Sequence, residues 1–103
     1  MIPVETMELL KTLKPSKYYN FGTSLRGFVV VNVIPMQAIS VDYKYHDGMM
    51  LDPRVVVYAK LIDLHEGKKP VKEVRLKAGE VHEIVKQCKT VAELYNALIE
   101  VFK

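Results

Sequence analysis

The residue types in this chain that could do chemistry fall into three groups. The largest is basic and aromatic. Lys17, Tyr18, Tyr19, Phe21 and Arg26 lie within residues 15–26. Lys44, Tyr58, Lys60, Arg75 and Lys77 recur at alternate positions of apolar runs, so pleating places them on one side of a sheet. Ammonium and guanidinium groups neutralise phosphates, and exposed rings give bases a surface to stack on. Asp42 and Glu73 fall on the same side and weaken its positive field. The pattern carries no sequence motif of a DNA- or RNA-binding module. The expectation is therefore a small nucleic-acid-binding protein for DNA or RNA, single-stranded or structured, working by charge and stacking with little sequence readout.

The second group is apolar. Met49, Met50 and Leu51 stand in a turn, and Val56 and Ile62 point away from the core in the register read below. Exposed apolar side chains in one patch mark a partner surface, and methionine adapts to such surfaces. The alternative expectation is a protein-interaction module, a homodimer or a complex, assembled through these five residues. The third group, His46, Asp47 and Asp52 with His65 and Glu66, could ligate a divalent ion or transfer protons. Its spacing matches no metal motif and both stretches read as polar turns, so neither a metal nor a cofactor is assigned. Cys88 falls on a buried stripe and reads as a small hydrophobe. His82 is placed on the solvent side of its helix. Gly22 and Gly27 make no phosphate loop. No catalytic residue emerges, and the chain is not expected to be an enzyme.

Totals narrow the classes. A chain of 103 residues, half apolar and a quarter charged, makes one globular α+β domain. No apolar run reaches the ~18 residues of a membrane span. The first ten residues carry two acids and no base, unlike a secretory leader, and the single cysteine forms no internal disulfide; both point to the cytoplasm. Abundant Lys and Glu with no Trp give a thermophile-like composition. The net charge of +3 is uneven. Residues 11–26 hold Lys11, Lys14, Lys17 and Arg26 and no acid, and residues 60–77 hold six basic residues against Asp63, Glu66 and Glu73.

The positioning elements follow from periodicity. Residues 3–14 suggest a helix with Pro3 at its start and a stripe of Val4, Met7, Leu10 and Leu13, stopped by Pro15. Residues 15–26 read as irregular. Four strands follow, at residues 27–34, 37–46, 54–64 and 71–77, joined by short turns as an antiparallel meander. The first is apolar on both faces, as in a strand covered on both sides. In the second, Ile39, Val41, Tyr43 and Tyr45 face inward; in the third, Val55, Val57, Ala59 and Leu61; in the fourth, Val74 and Leu76. Two helices close the chain. Val81, Ile84, Val85 and Cys88 stripe the first. Thr90 and Glu93 form a capping box for the second, lined by Val91, Leu94, Tyr95, Leu98 and Val101. The expected architecture is a four-stranded antiparallel sheet with an N-terminal helix and a C-terminal αα-hairpin packed on it.

Overall fold

A computed structural model describes residues 1–46, 54–65 and 67–103. Among the described residues the chain forms helix α1 (Val4–Lys11), strands β1 (Tyr19–Thr23), β2 (Gly27–Asn32), β3 (Gln37–His46), β4 (Arg54–Asp63) and β5 (Lys69–Leu76), helices α2 (Ala78–Lys86) and α3 (Val91–Ile99), and a last 3-10 turn (Glu100–Phe102). The strands form one antiparallel meander in the order β1-β2-β3-β4-β5.

The fold is α+β as expected, but the sheet has five strands, not four. Residues 15–26 are not wholly irregular: β1 pairs along β2, with Tyr19 opposite Asn32 and Thr23 opposite Phe28. Asn20 and Gly22 are poor strand formers and hide this segment from a propensity reading. Pairing with the apolar β2 overrides them, because alternation sends Tyr19 and Phe21 inward, where the rings meet Tyr95 at 5.6 Å and Phe28 at 6.1 Å.

The inner face of the sheet is the core. Phe28, Val30, Ile39, Val41, Tyr43, Val57, Ala59 and Leu76 are buried there beneath Val81 and Val85 of α2 and Val91, Leu94, Tyr95 and Leu98 of α3. Burying Leu94 and Leu98 fully stabilises the fold by roughly 1.5–3 kcal/mol each. The capping box starts α3 as expected: Glu93 N–H donates to Thr90 Oγ1 at 3.2 Å, and Thr90 N–H to Glu93 Oε1 at 3.1 Å. The loop before β1 braces the same end, where Ala92 N–H donates to Ser16 Oγ.

Two expectations about burial need correction. Helix α1 packs chiefly against α2 rather than flat on the sheet. Its buried positions are Thr6 and Leu10, with Met7, Leu9 and Leu13 partly covered, while Val4 is 70% exposed. Tyr45 and its β4 partner Val55, both expected inward, are also exposed, because this end of the β3–β4 pair runs beyond the helices. Among the described residues no helix lies on the outer face. It is crossed by three rows: Gly27–Asp42–Tyr58–Arg75, Val29–Ser40–Lys60–Glu73, and Val31–Ala38–Ile62–Pro70. β2 is thus apolar on both sides without a helix on both; Val29 and Val31 are half-buried by their neighbours in the sheet.

Gly27 sets how β2 meets β3. A Cβ there would overlap the carbonyl oxygen of Val41, so only glycine permits the approach. At the other edge a bulge between Leu61 and Ile62 admits Pro70 into β5 and leaves Lys72 facing inward, where Nζ donates to Phe102 O at 2.7 Å.

Candidate functional site

The outer face gathers part of the basic and aromatic set. β-Pairing places Tyr58 between Asp42 and Arg75, with Lys44 one step along β3 beside Val56. Lys44 Nζ lies 5.1 Å from the centre of the Tyr58 ring, and Arg75 Cζ 5.5 Å. Two cations are thus held on one ring by its quadrupole, an arrangement worth ~0.5–1 kcal/mol per contact at an exposed site. Lys60 stands in the next row, between Ser40 and Glu73. Lys77 lies at the rim, where its N–H donates to Glu80 Oε1 at the start of α2.

The segment around β1 divides. Tyr19 and Phe21 are committed to the inner face, so neither ring presents a stacking surface. Lys17 and Tyr18 precede β1 and are exposed, with Lys17 Nζ 5.2 Å from the Tyr18 ring centre. Tyr18 takes a positive φ of 69°, a left-handed backbone unusual for an aromatic residue. Arg26 lies beyond the other end of β1, where its carbonyl accepts from Tyr43 N–H at 2.7 Å. Arg26 and Lys44 line one depression, whereas Lys17 and Tyr18 stand at the opposite end of the β1–β2 hairpin.

Of the apolar set, Val56 and Ile62 do lie on the outer face and are half-buried. Met49, Met50 and Leu51 lie outside the described residues, as do Asp47, Asp52 and Glu66 of the candidate metal group; His46 ends β3 and His65 follows β4. No cluster of three or more His, Cys, Asp or Glu side chains suited to a metal occurs among the described residues.

His82 is not the solvated side chain expected. It is half-buried, and its Nδ1 lies 2.9 Å from the hydroxyl of buried Thr6, joining α2 to α1. Docking of α1 on α2 buries Thr6, which lies off the expected stripe, and a buried hydroxyl needs a partner. The Cys88 thiol donates to Ile84 O at 3.2 Å, and its pKa is raised by burial and then by the Glu93 charge. Both effects disfavour the thiolate, so this sulfur is a poor nucleophile. Tyr43 is 3% exposed, its phenol is pushed up to about 12 by burial, and its hydroxyl has no hydrogen-bond partner among the described residues.

The face can therefore hold an anion between cations and present one tyrosine edge. Among the described residues no helix is long and apolar enough to cross a membrane. No protein-family model, curated protein or solved structure matches this chain.

Proposed function

We propose that the protein binds nucleic acid across the outer face of its sheet, through Lys44, Tyr58, Lys60 and Arg75, with Arg26 and Lys77 at the rim. The observation that carries this reading is the Lys44–Tyr58–Arg75 group on a sheet face that no helix covers among the described residues. Loss of Tyr19 and Phe21 to the core shifts the balance from stacking toward charge. Tyr58 gathers two cations on one ring, and Asp42 and Glu73 keep the field modest. The binding is accordingly salt-sensitive and tolerant of sequence.

Fluorescence anisotropy with a labelled oligothymidylate tests it. If Arg26, Lys44, Lys60 and Arg75 each neutralise one phosphate of a single strand, raising salt from about 50 to about 200 mM weakens binding roughly 50-fold. Arg75→Ala then makes the salt slope shallower by ~0.7. Absence of binding, or affinity indifferent to salt, refutes the reading.

The outer-face row of half-buried Val31 and Ile62 with buried Ala38 favours a second reading, a homodimer or other assembly through the same face; Val56 stands three rows away, beside Lys44. Light scattering on the parent and on Ile62→Asp separates the two. A dimer lost in the variant supports assembly, and a monomeric parent excludes the homodimer.

A further inference from the structure

β3 is longer than its neighbour. β2 begins at Gly27, opposite Asp42, and the last β2-side bond joins Tyr43 N–H to Arg26 O. Antiparallel alternation turns the N–H and C=O of Tyr45 to the same side as those of Tyr43, into the step left where β2 has not yet begun. A depression of about 650 Å3 occupies that step. Three of the most exposed large apolar side chains meet there: Met1 (75%), Leu25 (73%) and Tyr45 (60%). Among the described residues, Arg26 and Lys44 line it against the single acid Asp42.

The free edges of the sheet are not treated alike. β5 is blunted by Pro70 and by Lys69, Lys72, Glu73 and Arg75, features that discourage strand addition. The step of β3 has no proline, and its backbone groups are flanked by apolar surface. Unpaired ladder groups beside alternating apolar contacts complement a polypeptide backbone. A second copy fits poorly. A four-residue edge cannot supply the ~1,000 Å2 of a stable interface, and a two-fold pairing would bring Arg26 and Lys44 toward their own counterparts. The cationic surplus instead calls for carboxylates on the partner.

We propose that this step is a strand-addition site for an extended segment of another protein in which apolar and acidic residues alternate. The segment extends β3 on the β2 side, its backbone pairs with Tyr45, its apolar side chains cover Leu25 and Tyr45, and its carboxylates meet Arg26 and Lys44. The site is separate from the nucleic-acid face, sharing only Arg26 and Lys44 at its rim.

The test uses the full chain and fluorescein-labelled decapeptides. One alternates valine with glutamate, a second valine with lysine, and a third is the valine–glutamate peptide N-methylated at alternate amides. The first is expected to bind saturably and to shift the Tyr45 amide resonance, and both controls to bind at least about tenfold more weakly. Leu25→Ser, at an exposed position, and Tyr45→Pro, which removes the N–H facing the step, each weaken peptide binding while leaving oligothymidylate binding unchanged. Leu25→Ser and the methylated peptide suffice should the proline variant fail to fold. The proposal is overturned if the Tyr45 resonance does not move, if the lysine peptide binds equally well, or if the parent dimerises through this edge and Tyr45→Pro abolishes the dimer. An oligonucleotide that fails to bind refutes the nucleic-acid reading alone.

Discussion

Replacing glycine by alanine at positions 27 and 79 should have opposite effects, and the reason lies in what each new methyl meets. At Gly27 it meets backbone only: the carbonyl oxygen of Val41, the carbonyl carbon of Val41 at 2.9 Å and Asp42 Cα at 3.1 Å. None of these can rotate away, so β2 must retreat from β3. Overpacking of this kind costs about 1–3 kcal/mol. The retreat also stretches the bond from Tyr43 N–H to Arg26 O and the Phe28–Val41 pairing, at roughly 1 kcal/mol for each hydrogen bond weakened. The sum is ~3–5 kcal/mol, a large share of the ~5–15 kcal/mol typical of a domain. At Gly79, in the first turn of α2, a Cβ meets nothing within 4 Å and the backbone is not left-handed. Alanine there removes unfolded-state freedom and gains ~0.5–1 kcal/mol. Urea denaturation followed by circular dichroism reads both. With a slope of ~1.5 kcal/mol per M, Gly27→Ala lowers the midpoint by about 2–3 M, and Gly79→Ala raises it by about half a molar. A Gly27→Ala protein that unfolds at the parent's midpoint would refute the close approach of β2 to β3, and with it the geometry of the step beside Tyr43.

Other substitutions probe single interactions. Tyr43→Phe removes a buried hydroxyl without a partner among the described residues and should leave stability unchanged or raise it by up to ~2 kcal/mol at neutral pH in a thermal melt. In the parent, burial raises this phenol from 10.0 to about 12, so its contribution is complete below pH 10 and disappears as pH climbs through 12. That loss amounts to about 2–3 kcal/mol, and a stability–pH curve of Tyr43→Phe that falls as steeply as the parent's between those limits would contradict it. Thr90→Ala deletes the acceptor for Glu93 N–H and should cost ~1 kcal/mol, read as a lower urea midpoint. Thr6→Val keeps the shape of a buried side chain but strips His82 Nδ1 of its partner; a loss of ~1–2 kcal/mol is expected, and a neutral result would show that the contact contributes nothing.

Legibility in the sequence varied with how local the cause was. The capping box at Thr90 and Glu93 and the stripe of Val81, Ile84, Val85 and Cys88 are written in neighbouring residues and reappear in the fold. So do the inward positions Ile39, Val41 and Tyr43 of β3 and Val57, Ala59 and Leu61 of β4, though not Val55, since strict alternation leaves one register that buries them. β1 was hidden because Asn20 and Gly22 argue against a strand, and only the apolar edge of β2 makes one of them. Val4, expected on the buried stripe, is exposed and Thr6 is buried for a similar reason. The stripe of α1 is ambiguous by a fraction of a turn, and its docking on α2, where His82 waits for a hydroxyl, selects the face.

The candidate site shows the same division. Alternation alone put Lys44, Tyr58, Lys60 and Arg75 on one side of a sheet, because a side chain's face is decided by its parity within the strand. Composition and periodicity also established an α+β chain with its charge concentrated in the hairpins. Which rings remain available, and which edge remains unpaired, was decided by the tertiary structure. Tyr19 and Phe21 differ from Tyr45 only in what stands across from them: α3 and β2 cover the first two, while β2 begins too late to cover the third. The relative lengths and offsets of neighbouring strands are set by contacts between distant segments, and no local pattern of residues encodes them.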